Sequence, residues 1–125
     1  MVTFYGSATE VDYRNLVRMK NCYDKCLQEA MVKAGSLPTQ AERDVFLAKA
    51  KKLKIELDDL NEQLFHINTA EFEKYVIAFR TLSDSAKAKL AHLEAIVDNL
   101  QTAVQIASAI DDALVIAAGV AEKMT

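Results

Sequence analysis

Residues 38–67, PTQAERDVFLAKAKKLKIELDDLNEQLFHI, open with the chain's one proline, contain no glycine and carry an apolar stripe at helical spacing. Phe46, Ala50, Leu53, Leu57, Leu60, Leu64 and Ile67 recur at alternating intervals of three and four, which places them on one face of a helix. A heptad seam of this kind predicts coiled-coil-like packing over about three repeats. Ahead of it, Thr39-Gln40-Ala41-Glu42 has the pattern of a capping box, in which a hydroxyl and a carboxylate satisfy the free amides of a helix start.

Working backwards, Pro38 stops whatever helix precedes it, and Lys33 and Gly35 suit a helix C-terminus. Leu16, Met19, Tyr23, Cys26 and Ala30 form a second stripe with the same period. Its start is expected near Ala8, because Ser7-Ala8-Thr9-Glu10 also reads as a capping box, leaving residues 1–7 as a short irregular segment. A link of about four residues between the two helices predicts an antiparallel hairpin.

Working forwards, the seam loses phase at Asn68-Thr69-Ala70-Glu71, a third capping pattern, and a turn is expected there. Phe72, Tyr75, Phe79 and Leu82 resume the period. Ser83-Asp84-Ser85 either caps a new helix or lies exposed within a continuous one, since no glycine or proline decides. From Leu90 the apolar positions Leu93, Val97, Leu100, Val104, Ala107, Ile110, Leu114, Ala117 and Ala121 predict one helix from about 86 to 123. It would span roughly 55 Å, against roughly 40 Å for each hairpin helix. Part of it should overhang unless Ser83 or Ser108 breaks it or a second subunit covers it.

The fold class predicted is all-α: a single domain over residues 1–125, an elongated antiparallel bundle of three or four long helices. Its core is expected to draw on Leu16, Tyr23, Leu53, Leu57, Leu60, Leu64, Phe72, Phe79, Leu93, Val97, Leu100 and Val104. Composition agrees, since 51% apolar and 26% charged residues are enough for one core. With 3 glycines and 1 proline, the chain lacks the turns that a sandwich or barrel needs.

A net charge of −3 argues against a nucleic-acid partner. The start MVTFYGSATE has neither a basic region nor an apolar core of a signal peptide, so a cytoplasmic location is expected, with signal-less export compatible. Cys22 and Cys26, four apart on a helix, read as a reduced, buried structural pair.

No constellation predicts chemistry. His66 and His92 have nearby Glu62 and Glu94, but not the Glu-x-x-His spacing of di-iron bundles. Asp58-Asp59 and Asp111-Asp112 are adjacent, so on a helix they diverge by about 100° and share no proton. No glycine loop cradles phosphate. The expectation is therefore a protein that is not an enzyme, with no metal and no cofactor.

Two stretches invite an interaction reading. Lys49, Lys51, Lys52 and Lys54 precede Glu56, Asp58, Asp59 and Glu62, which makes a charge-segregated solvated face or a basic patch for an acidic partner or anionic lipid. Residues 103–121, AVQIASAIDDALVIAAGVA, are rich in small apolar residues that permit close helix approach. Ala103, Ile106, Ala107, Ile110, Ala113, Leu114, Ala117 and Val120 are the candidate interface or membrane segment.

The function expected is a non-catalytic helical interaction or assembly protein, binding a protein partner or itself. The alternative is a membrane-active protein, such as a pore-forming toxin component, that inserts residues 103–121 conditionally. Each Asp at mid-helix costs about 2.5–3.5 kcal/mol on insertion, so that stretch does not span a bilayer unaided. This general plan is similar to that of secretion-system components, immunity proteins and phage accessory proteins, a likeness of architecture and not of residues.

Overall fold

Thr9, Thr39, Thr69, Ser83 and Thr102 each hold extended backbone and accept, through the side-chain hydroxyl, a hydrogen bond from the amide three residues on. Amides at a helix start have no partner within the helix, so each cap stabilises the start by about 1 kcal/mol. The computed structural model, which describes residues 2–125, accordingly contains five helices. They are α1 (Glu10–Lys33), α2 (Gln40–Phe65), α3 (Ala70–Arg80), α4 (Asp84–Ile96) and α5 (Ala103–Met124). The chain is 82% helix, with no strand among the described residues.

Five helices replace the expected three or four, and the caps explain the difference. Helix α1 starts at Glu10, because Thr9 pairs with Asp12 in a reciprocal capping box. Ser7 is engaged elsewhere: its N–H donates to Glu73 Oε2 at 2.5 Å and its carbonyl accepts from Arg80 Nη2 at 2.9 Å. Gly6, at φ +59°, turns the chain into this arrangement, and a Cβ there would collide with the Glu73 carboxylate. The third cap is Thr69 rather than Asn68. Helix α2 ends at Phe65, so Ile67 lies outside the seam and its carbonyl accepts from the Tyr5 N–H at 3.1 Å.

The single helix expected over 86–123 is two helices. Ser83 caps α4, and after Ile96 the chain tightens into a 3-10 turn at Val97–Asn99 and extends at Leu100. Thr102 and Gln105 then form the second reciprocal capping box. With 22 residues α5 spans roughly 33 Å, shorter than the roughly 39 Å of α2 with its 26, so the predicted overhang does not exist.

Helices α1 and α2 run antiparallel: Tyr13 and Val17 share a cleft with Asn61 and Phe65, whereas Met31 at the other end shares one with Leu47. Helix α5 runs parallel to α2, with Val104 near Val45 and Ala117 near Glu56. It is the hub and packs against each of the other four helices. Ile106, Ala109, Ile110, Ala113 and Ile116 have no exposed surface, and each buried Ile contributes roughly 1.5–3 kcal/mol. At Gly119, α5 approaches the start of α4 and the link before it so closely that a Cβ would lie 3.1 Å from Leu82 Cδ2 and 3.4 Å from Ala86 Cβ.

Of the expected core, Leu16, Tyr23, Leu53, Leu57, Leu60, Phe72, Leu93, Val97 and Leu100 are buried. Leu64 and Phe79 are half-buried at its edge. Val104 is 80% exposed and is not core. The second residue of a helix that restarts at Ala103 faces wherever the new start aims it, and the old phase no longer applies.

Candidate functional site

Two apolar grooves open along α2, one on each side, the first at its N-terminal end and the second along its middle. The first, of about 400 Å³, lies between α2 and α5 and is lined by Leu37, Ala41, Val45, Phe46, Ala103 and Val104, with Glu42, Lys49 and Ala107 completing it. The second, of about 500 Å³, lies between α1 and α2 and involves Leu27, Met31, Leu47, Ala50 and Leu57, with polar groups from Asp24, Gln28, Lys51 and Lys54. Val104 at 80%, Met31 at 72% and Val45 at 61% project apolar surface into water at these rims.

The local causes are legible. Pro38 lies just before the Thr39 cap, and Thr102 sets the first turn of α5 beside the first turn of α2. Small residues at Ala41, Ala103 and Ala107 leave the space that larger side chains would fill.

Of the eight residues expected to form an interface or membrane segment, the structure buries five inside its own bundle. Ile106, Ile110, Ala113, Ala117 and Val120 face the neighbouring helices, while Ala103, Ala107 and Leu114 are half-buried. Only Ala103 and Ala107 line an open groove. Sequence reasoning missed the exposed groove residues Val45 and Met31 and the half-buried Leu37, and placed Val104 in the core. The signal that could have found Val104 is Thr102-Ala103-Val104-Gln105, a capping pattern as good as the one at Thr39.

Charges organise the surroundings. Asp111 and Asp112 diverge as expected: Asp111 pairs with Lys49 on α2 at 3.0 Å, and Asp112 faces α4, where His92 Nδ1 lies at 2.5 Å and Lys89 Nζ at 3.5 Å. Arg18 and Glu94 link α1 to α4 at 2.5 Å. His66 pairs with Glu62 one turn before it. Within the lysine run, Lys49 and Lys54 are paired with Asp111 and Asp58, which leaves Lys51 and Lys52 without an ion pair among the described residues.

Burial, opposed by little else, pushes the Cys26 thiol up to about 12, and burial followed by the charge of Glu94 raises Cys22. Neither thiol is poised as a nucleophile. Glu56 is raised by burial and then by Asp59. The Arg80 guanidinium hydrogen-bonded to Asp12 holds that carboxyl below its ordinary range against the opposing effect of burial.

The fold and the grooves define an all-helical protein with solvent-open apolar clefts between its helices. No protein-family model, curated protein or solved structure matches the chain.

Proposed function

We propose that this chain is a non-catalytic helical interaction protein that binds a protein partner, or itself, through the grooves beside α2. The observation that carries the reading is apolar surface exposed at the mouths of two open clefts, Val45 and Val104 at one and Met31 at the other. Exposed apolar patches rimmed by polar groups mark contact sites in soluble proteins. The reading takes the chain as an elongated antiparallel bundle with coiled-coil-like seams, supported by the buried stripe of Leu53, Leu57 and Leu60 on α2. Light scattering over a concentration series, paired with pull-downs using wild type, Val104→Asp and Met31→Asp, tests it. Association or capture that one substitution abolishes is the expected result. A monomer that captures nothing sensitive to either substitution overturns the reading.

The membrane reading keeps one supporting observation: α5 is long and apolar enough to cross a bilayer, with mean hydropathy 1.6 over an 18-residue window. Insertion would have to strip the hub helix from four neighbours. Liposome flotation tests it with Val104→Lys, since Ile110 is wholly buried and a charge there would report on folding instead. Lipid binding lost in that variant supports insertion. Absence of binding at neutral and acidic pH removes it.

A further inference from the structure

The α2–α5 seam is closed at one end and open at the other, and the closed end indicates what the open end would accept. On α2, Val45, Lys49, Lys52, Glu56 and Asp59 follow one another at steps of four and three, so they lie on one stripe. On α5, Ala103, Ala107, Leu114, Ala117 and Ala121 share a stripe by the same spacing. Near the C-terminal end of both stripes, α3 covers the seam, with Tyr75 set among Glu56, Asp59, Ala117, Val120 and Met124 and only 5% exposed. The Lys49–Asp111 ion pair crosses from α2 to α5 in the middle. Beyond it, at the N-terminal end, no element among the described residues covers the groove of Val45, Phe46, Ala103 and Val104.

We propose that this open half of the seam docks an amphipathic helix of a partner protein, with bulky apolar anchors where Tyr75 serves at the closed half. This rests on the interaction reading above and names its site and partner chemistry. Helix-in-groove recognition uses apolar anchors at i, i+3/i+4 and i+7, and the alanines at 41, 103 and 107 let a helix approach closely. Charge sets its direction. Because α2 and α5 run parallel, both N-termini flank the groove, and their partial positive charges favour the carbonyl end of an incoming helix. Glu42 lines the groove at that same end, and Lys52, which has no ion pair among the described residues, lies on the α2 stripe one turn past Lys49, just outside the groove, where the first turn of a helix of about four turns would reach it. The partner helix therefore runs antiparallel to α2 and α5, with acidic residues in its first turn towards Lys52 and basic residues in its last turn towards Glu42.

The test uses the full chain and fluorescein-labelled synthetic peptides of about four turns, carrying Leu or Phe anchors at i, i+4 and i+7. One peptide has an acidic start and a basic end, and a second has the charges exchanged. Fluorescence anisotropy is read on wild type and on Val104→Asp, Val45→Asp and Met31→Asp, each at a site more than half exposed and each checked for an unchanged melting profile. The expected result is binding of the first peptide, weakened about tenfold or more by charge exchange and by Val104→Asp or Val45→Asp but not by Met31→Asp. No binding of either peptide overturns the proposal, as does equal binding of both. Loss with Met31→Asp alone places docking on the other groove, and a dimer split by Val104→Asp assigns the groove to a second copy. Both of these outcomes overturn the proposal while leaving the interaction reading standing. Binding to anionic phosphatidylglycerol vesicles that Val104→Asp abolishes, without peptide binding, overturns both.

Discussion

Asp12 does two jobs at one position, closing the α1 capping box with Thr9 and accepting two hydrogen bonds from Arg80 at 2.9 and 2.5 Å. Its folded pKa is lowered, chiefly by the Arg80 hydrogen bonds, so its stabilisation is present above the unfolded value and disappears as pH falls through the folded one. Asp12→Asn is expected to destabilise by about 1.5–3 kcal/mol at pH 6, the range for a hydrogen bond to a charged group. Urea midpoints should show the gap to wild type narrowing by pH 3 and below, and a gap that widens on acidification would contradict this role. Tyr23 is the opposite case, fully buried with a hydroxyl that has no hydrogen-bond partner among the described residues. Tyr23→Phe removes that desolvation cost and should raise stability by about 1 kcal/mol; a lowered melting temperature would disclose a partner for the hydroxyl. Cys26, with no exposed surface and its thiol pushed up to about 12, should label with a thiol reagent only as fast as the chain unfolds.

Elements here are decided at their starts. The stripes of α1 and α2 were readable because hairpin and seam agree with a strong cap at Thr39. The break between α4 and α5 was not, since the apolar period survives on both sides of it and neither glycine nor proline marks it. What breaks the helix is Thr102 with Gln105, a local hydrogen-bonding alternative that competes with helix continuation. Thr102→Ala should cost about 0.5–2 kcal/mol and loosen the first turn of α5, where hydrogen exchange at Gln105 and Ile106 is the direct readout. Unchanged exchange there would mean that packing alone holds the start. Ser7 failed as a cap for the converse reason, its backbone being taken by Glu73 and Arg80, residues remote in sequence.

For the whole molecule, the hub position of α5 orders the energetics. Ile116→Ala should cost about 2–5 kcal/mol, as a large-to-small change at a site with no exposed surface, whereas Val104→Asp should stay within about 0.5 kcal/mol of wild type. Chemical denaturation of both separates the two; equal losses would place Val104 in the core after all. The same hub explains why the alanine-rich segment carries so much apolar surface: it faces four helices of its own chain. Helical period, scarcity of turn residues and the α1–α2 hairpin were determined by the sequence alone, because each depends on contacts within a few residues. Which of several competing caps acts, which helix lies at the centre, and which stretch of the α2–α5 seam stays open were decided only by tertiary structure. Those outcomes depend on residues such as Arg80, Glu73 and Tyr75 meeting distant partners, and no spacing along the chain encodes that.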